Sequence, residues 1–523
     1  MGDTDIAIIG AGPRGLSALY SLSRAVTDPV TVHLFGARDD GADVVGIGTP
    51  YSPDQPLFSR LNGHSSVVDP FKAHRGDDDG SLGLSFDDWA RVNGHEEFAD
   101  DFPPRKLVGE YFQYAAGVIR GGLPEHVELR EYERAQAVGG EPGAWTIDHE
   151  GGQLRVPELL LTVGHATVPP SPLTDEDVNQ PDGVVIPMPY PLSKLDGISA
   201  GDAVATRGAG LTFVDVVLEL TEGRGGTFSD DAREYTPSGR EPEVIWATNH
   251  DGVFPDSKPP FGAVAELVSA ERWEEAKMAV AQSPTLEDML EAVRAAAVDA
   301  LAAQGASDPD AYDAAIAAPE PRPGLARERL AESVASARGE IPIPARQIVT
   351  ETWQILMSTM IRRVSNRIFA PEDWEAFMAG FGAVGISSYG PPLVNAQKML
   401  TLVDAGLIKV ELLDKAIDAE DFPFEVDAFV DCVLPPAGFW RGAYPELEGI
   451  EDLLITWADE HVERTGVRTD GAGSVLDANE APIPGLAAVG RINEDWTVEM
   501  DNLDVTAHPF ILGWADRIAR MAG

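Results

Sequence analysis

One cysteine, Cys432, stands in 523 residues. A lone thiol excludes an internal disulfide, a thiolate metal cluster and any redox centre built from two cysteines, so no metal is expected and a reducing compartment is predicted. Basic residues are also scarce: 39 Lys and Arg face 86 Asp and Glu, a net charge of −47. That balance repels polyphosphates and anionic lipid, which sets aside nucleic acid and membrane surfaces as partners. The acids are spread along the chain without an acidic tail, as in proteins biased toward solubility or salt. No apolar run reaches the ~18 residues of a membrane span. Met1-Gly2-Asp3 leads into the first apolar segment without a charged and hydrophobic leader, so a soluble, cytoplasmic protein is predicted.

A hydrophobic content of 44% can bury a large core, and the length suggests roughly two to four domains. The N-terminal stretch Asp5-Ile6-Ala7-Ile8-Ile9-Gly10-Ala11-Gly12-Pro13-Arg14-Gly15 reads as a buried parallel strand, a glycine turn and a helix opening at Pro13. In such a βα turn Gly10 allows the sharp bend, Gly12 lets backbone approach a pyrophosphate, and Gly15 lets helix pack on strand. The helix start offers N–H groups and a positive dipole to phosphate. The acid that should end the second strand, about 20 residues on, to hold a ribose hydroxyl is missing: Gly36 stands there, with Asp39 or Asp40 as loop replacements or solvated turn residues.

A second motif, Arg207-Gly208-Ala209-Gly210-Leu211-Thr212-Phe213, again lies between an apolar strand and an apolar helix, and predicts a second nucleotide site at Gly208, Gly210, Leu211 and Thr212. Phe213 occupies the position usually kept small, so its ring should push the helix outward unless a gap receives it. Gly46–His64 is rich in Gly and Pro, which predicts an ordered loop near a ligand. Arg105, at the start of an amphipathic helix, is a candidate partner for a phosphate or flavin carbonyl, or else a surface arginine. Ser238 and Arg240 could meet a 2′-phosphate, or form a polar hairpin loop. Val127–Gln136 and Gly143–His149 read as strands of a meander, and Leu154–Val163 as an apolar strand. Helical periodicity dominates from about Ala263 to Leu412, with Ala306–Gly324 a loose connection.

Seven segments carry a family resemblance: GAGPRG at Gly10–Gly15, the DQP to LN passage at Asp54–Asn62, PPRKLVGEYF at Pro103–Phe112, GAGLTFVD at Gly208–Asp215, PSGREP at Pro237–Pro242, YGPPLVNA at Tyr389–Ala396 and GRINEDW at Gly490–Trp496. In this order the chain resembles the two-dinucleotide-binding flavoproteins, and among them a bacterial group of FAD/NAD(P)-binding proteins related to flavin N-hydroxylating monooxygenases. The histidine fingerprint of Baeyer–Villiger enzymes is absent.

The resemblance implies an α/β fold with two Rossmann-like dinucleotide-binding domains, for FAD and NAD(P), and a mainly helical insertion. The expected division is residues 1–185 for the first part of the FAD domain, 186–262 for the NAD(P)-binding-like domain, 263–412 for the helical insertion and 413–523 for the C-terminal part of the FAD domain. It implies FAD at Gly10, Gly12, Pro13, Arg14, Gly15, Gly164, Gly490 and Arg491, with Gln55 and Asn62 lining the flavin face or merely capping the loop. The activity implied is an NAD(P)H-using monooxygenase that takes oxygen and hydroxylates a small amine or amino acid through a flavin hydroperoxide. A flavin oxidoreductase without oxygen insertion and a non-catalytic FAD-binding sensor are the alternatives.

Overall fold

A computed structural model describes residues 4–39, 41–76, 83–166, 183–306, 308, 310–365, 371–416, 422–423, 425–455, 465–500 and 502–522. Two twisted sheets organise the chain. The first has six strands in the order Ser474–Leu476, Pro482–Ala488, Glu158–Leu161, Thr4–Ile9, Val30–Phe35 and Val127–Tyr132. All its neighbours are parallel except the first pair. Strand Val30–Phe35 is buried at every position, as parallel strands covered on both faces must be. One face packs under helices Pro13–Ala25, Arg105–Gly121 and Phe510–Ala522, with Leu16, Leu19, Tyr111 and Trp514 in a shared core. The other face is covered by Trp145, Phe439 and Tyr444.

Trp145 belongs to an antiparallel meander, Ala137–Glu141, Ala144–His149 and Gly152–Val156. The sequence reading put Val127–Gln136 in that meander, but Val127–Tyr132 is the outer parallel strand of the main sheet, paired residue for residue with Val30–Phe35. The apolar run Leu154–Val163 is likewise two strands, divided at Pro157, which has no N–H to donate to a ladder.

The second sheet is wholly parallel, in the order Val184–Ile186, Ala428–Asp431, Ala203–Arg207, Val244–Thr248 and Ile408–Lys409. This corrects the expected division. Ala428–Asp431, assigned to the C-terminal part of the first domain, inserts beside Ala203–Arg207. Ile408–Lys409, assigned to the helical insertion, forms the far edge. Helices Leu325–Ala337 and Leu393–Asp404 also leave the insertion: Leu330, Val334, Met399 and Leu402 pack into the core of the second sheet. Helices Ala270–Gln282, Leu286–Ala303, Ala345–Val364 and Pro371–Ser388 remain as a separate helical unit around Trp273, Met289, Leu356 and Phe377. Ser269 and Thr285 cap two of these helices by accepting from Arg272 N and Asp288 N. Within Ala306–Gly324, read as a loose connection, the segment Ala311–Ile316 is helical. Among the described residues no helix is long and apolar enough to cross a membrane.

Candidate functional site

The first glycine turn is closed from behind by the exit of strand Glu158–Leu161. Thr162 N donates to Ile9 O at 2.8 Å, and its hydroxyl donates to Gly10 O at 2.7 Å. Gly10 has φ 114°, and a Cβ there would lie 2.2 Å from Thr162 O. A Cβ on Gly15 would lie 1.9 Å from Gly10 O, so helix and strand touch backbone to backbone. Gly12 differs. It is the extended N-cap of helix Pro13–Ala25, makes no side-chain cap, and a Cβ there would approach nothing nearer than Gly48 Cα at 3.7 Å. The protein fills the space behind Gly10 and Gly15 and leaves open the space before Gly12, where the helix N–H groups point. Such an open, side-chain-free helix start fits a pyrophosphate.

The other residues expected around this seat are placed as follows. Gly46 N donates to Ala11 O at 2.7 Å, which fastens the Gly46–His64 loop to the turn. Gly164 (φ 73°) has no atom within 4 Å of a would-be Cβ, and its carbonyl accepts from the Tyr444 hydroxyl. Gly490 follows strand Pro482–Ala488, and a Cβ on it would come no nearer than 4.0 Å to Arg14 Cγ. Arg491 begins a short 3-10 turn there, and its charge opposes the strong upward push of burial on Tyr444. The Arg14 guanidinium donates to Asn502 O at 2.5 Å and Met500 O at 3.4 Å, so it fixes the approach to the last helix. Gln55 Nε2 donates to Pro50 O at 3.1 Å, while its buried Oε1 has no partner among the described residues. Asn62 is half-buried beside Leu61, whose N–H donates to Pro103 O at 2.9 Å. Gly36 N donates to Glu133 O at 3.2 Å, and Asp39 is exposed on a two-residue strand; Asp40 lies outside the described residues. Glu133, which the sequence reading passed over, is the acid whose backbone reaches Gly36.

The second turn repeats the first. Gly208 (φ 86°) N donates to Thr248 O at 3.0 Å, and Gly210 is an extended N-cap with no side-chain cap and nothing within 4 Å of a would-be Cβ. Leu211 opens the helix and Thr212 is buried in its first turn. Phe213 is accommodated: fully buried, it stacks on Phe254 with ring centroids 5.9 Å apart. The gap that the sequence could not reveal is lined by a loop residue 41 positions on in the chain.

Three expected residues lie elsewhere. Arg105 is not a surface arginine: its side chain is 15% exposed. Its Nη1 lies 3.4 Å from Asp215 Oδ2, on the helix of the second fold, and the Tyr190 hydroxyl donates to that carboxylate at 2.5 Å. Burial is the largest single effect and disfavours the Arg105 cation, but the facing Asp215 carboxylate together with Tyr190 and Tyr51 outweighs it and holds the guanidinium protonated. Arg240 is exposed in a loop that precedes strand Val244–Thr248, where Gly201 N donates to Glu241 O at 2.9 Å and Glu243 N to Asp202 O at 2.9 Å. These bonds place Arg240 at the N-terminal edge of the sheet, whereas Gly208 and Gly210 follow its C-terminal edge. Strands of 5 residues separate the two edges by ~15 Å. Arg240 and Ser238 therefore do not join the second helix start.

The sequence reading missed a polar junction beyond these seats. Asp256, fully buried, accepts from Arg346 at 2.9 and 3.0 Å, from Arg329 at 3.3 Å and from the Ser387 hydroxyl at 2.5 Å. It ties the loop after strand Val244–Thr248 to three helices. Asn395 Nδ2 donates to Phe58 O at 2.8 Å, which joins the Gly46–His64 loop to helix Leu393–Asp404. No single segment of sequence signals either link.

Two parallel-sheet folds in one chain, each with a bare glycine N-cap at the strand end where ligands bind, define a two-dinucleotide-binding α/β protein. Residues 7–166 match a family described as FAD-NAD(P)-binding. The chain is 30% identical over 286 residues to an L-aspartate N-monooxygenase (nitrosuccinate-forming) of Streptomyces cremeus, covering 47% of this chain and 42% of the relative. It is 28% identical over 270 residues to the nitrosuccinic acid synthase of Aspergillus oryzae, covering 47% and 40%. The matched part thus spans less than half the length of these curated relatives. Among solved structures, the ornithine N-hydroxylase of Kutzneria sp. 744 aligns over 100% of both chains at 12% identity and a TM-score of 0.49.

Proposed function

We propose that this chain is an FAD-dependent, NAD(P)H-using monooxygenase that hydroxylates the nitrogen of a small amine or amino acid. The observation that carries the dinucleotide part is the pair of open N-caps at Gly12 and Gly210, one on each sheet. Nitrogen as the oxidised atom rests on the similarity to L-aspartate N-monooxygenases.

In this reading the amides at the start of helix Pro13–Ala25 hold the FAD pyrophosphate, with Gly12 and Gly48 giving the close approach. Gly164, Gly490 and Arg491 line the same seat. FAD, when bound, supplies the hydride-accepting and oxygen-activating chemistry. The chain contributes binding, orientation and dryness. Gln55 keeps a buried acceptor oxygen that has no donor among the described residues, and Asn62 stands in the same loop. Gly208, Gly210, Leu211 and Thr212 receive the nicotinamide nucleotide. The Gly46–His64 loop and the helical unit close over the reacting centre, because water that enters diverts reactive intermediates. Molecular oxygen and the amine are the remaining partners, and the cytoplasm is the proposed compartment.

The test is purification followed by an absorbance spectrum, then steady-state NADPH and NADH oxidation with and without L-aspartate, L-ornithine and simple amines, with peroxide assayed. Yellow protein whose amine-stimulated oxidation yields N-hydroxylated product supports the reading. Colourless protein that takes up no FAD overturns it. Amine-independent oxidation identifies an oxidoreductase without oxygen insertion.

A further inference from the structure

The loop after strand Val244–Thr248 is clamped on three sides. Ser257 N donates to Ser333 Oγ at 3.0 Å, Gln347 Nε2 donates to Ser257 O at 2.7 Å, and Lys258 N donates to Pro391 O at 2.9 Å. Helix Ala345–Val364 supplies the facing wall, since Gln347, Glu351 and Gln354 share one face at spacings of four and three residues. Gln347 holds Ser257, and Gln354 Nε2 donates to Ser388 Oγ at 2.5 Å. Glu351, between them on the helix, lies within electrostatic reach of Lys258. The Tyr389 hydroxyl donates to Glu499. The next residue, Met500, offers its carbonyl to Arg14 at the first helix start. The enclosure therefore adjoins the proposed FAD seat.

Inside it two opposite charges are held apart. Lys258 interacts electrostatically with Glu351 and Glu499, yet among the described residues its ammonium closes no ion pair within 4.0 Å and makes no side-chain hydrogen bond. Glu351 Oε1 is buried and has no hydrogen-bond partner among those residues. Burial pushes the Lys258 ammonium below its usual range and the Glu351 carboxyl above its own, in both cases against the pull of the other group. Lys258 is half-buried and Glu351 Oε1 is buried; polar groups so placed without direct partners are costly, so a ligand that supplies the missing partners to both gains what the fold leaves unsatisfied.

We propose that Lys258 and Glu351 are the two poles of a subsite for the zwitterionic head of an α-amino acid, its carboxylate on Lys258 and its ammonium on Glu351. The proposal rests on the N-hydroxylating reading and narrows it: a simple amine or diamine satisfies Glu351 but presents like or no charge to Lys258, so the amino acid is the favoured substrate class.

Isothermal titration of the FAD-loaded full chain tests this, with L-aspartate, L-alanine and L-ornithine as amino-acid probes and butylamine and succinate as single-charge probes. In the wild type at least one amino acid binds at least tenfold more tightly than either single-charge probe. Lys258→Met weakens that amino acid at least tenfold and leaves butylamine no weaker. Glu351→Gln weakens the amino acid and butylamine at least tenfold and leaves succinate no weaker. The double variant Lys258→Met/Glu351→Gln removes both charges together, so it melts no lower than the wild type and binds no amino acid. Amino-acid affinity kept within threefold in the double variant, or absence of binding by all three amino acids to the wild type, overturns the proposal. N-hydroxylated product formed with affinity unchanged in the variants leaves the enzymatic reading standing and removes this subsite. Binding lost in the variants of a protein that turns nothing over does the reverse.

Discussion

Arg105 and Asp215 meet across the two nucleotide folds, 3.4 Å apart, with side chains only 15% and 3% exposed. Each enters from the first or second turn of a helix, Arg105–Gly121 in one fold and Leu211–Thr221 in the other. A residue offered from sequence as a partner for a phosphate or flavin carbonyl, or else as a surface arginine, is half of a buried ion pair that fixes how one nucleotide fold sits on the other. Removing one member leaves a buried charge unpaired, at a cost of about 3–5 kcal/mol. Arg105→Met should therefore lower the melting temperature sharply, while Arg105→Met/Asp215→Leu recovers much of the loss. A single variant that melts with the wild type would show that the pair contributes nothing.

The three glycines of the first turn should separate into two classes. Gly15→Val places a Cβ against a backbone oxygen at 1.9 Å, so helix and strand must part and the protein should fail to fold. Gly12→Val meets only Gly48 at 3.7 Å, so the chain should fold with nearly native circular dichroism and yet purify without flavin. Retention of a full complement of FAD by Gly12→Val would place the pyrophosphate elsewhere.

How far the sequence reached follows the physics of each part. The turn at Gly10–Gly15 was legible because its glycines answer to backbone geometry, Gly10 to a positive φ and Gly15 to the close approach of helix and strand, whichever distant segment then closes it, and the N-cap at Gly210 was legible for the same reason. The ownership of Ala428–Asp431 was not: a strand buried on both faces looks alike in either sheet, and only its pairing with Ala203–Arg207 decides. Phe213 violates the small-residue rule without consequence because Phe254 lines a gap for it, a compensation written far from the motif. Lys258 and Glu351 carry no spacing signal at all, since they face each other only after the loop and the helix have been brought together by Gln347 and Ser257.

Arg240 offers the sharpest test of the corrected geometry. It lies at the opposite edge of the second sheet from Gly210, so Arg240→Ala should change neither the rate of flavin reduction nor the preference between NADPH and NADH by more than about twofold. The same variant would lose one to two decades if the arginine read a 2′-phosphate, because a charge-assisted hydrogen bond contributes about 1.5–3 kcal/mol. Stopped-flow reduction by both nucleotides distinguishes the two outcomes.

His508 should set the acid limit of the folded protein. It is 2% exposed and stacks on Phe510 at 5.2 Å. Burial first, and then the Arg14 and Arg362 cations, push its pKa from 6.5 down to about 3. The folded state thus keeps a neutral imidazole where the unfolded chain takes up a proton. Stability from this group is complete above pH 6.5, the unfolded value, and is lost progressively as pH falls toward the folded value of about 3. The loss is about 1.4 kcal/mol for each pH unit. His508→Phe keeps an aromatic ring against Phe510 and removes the titration, so its unfolding free energy should fall less steeply than that of the wild type on acidification from pH 6.5. The two curves should converge with falling pH by an amount that matches uptake of one proton. Parallel curves would mean that His508 takes up its proton in the folded state as readily as in the unfolded chain, with the backbone carbonyls of Val498 and Glu499 offsetting its burial.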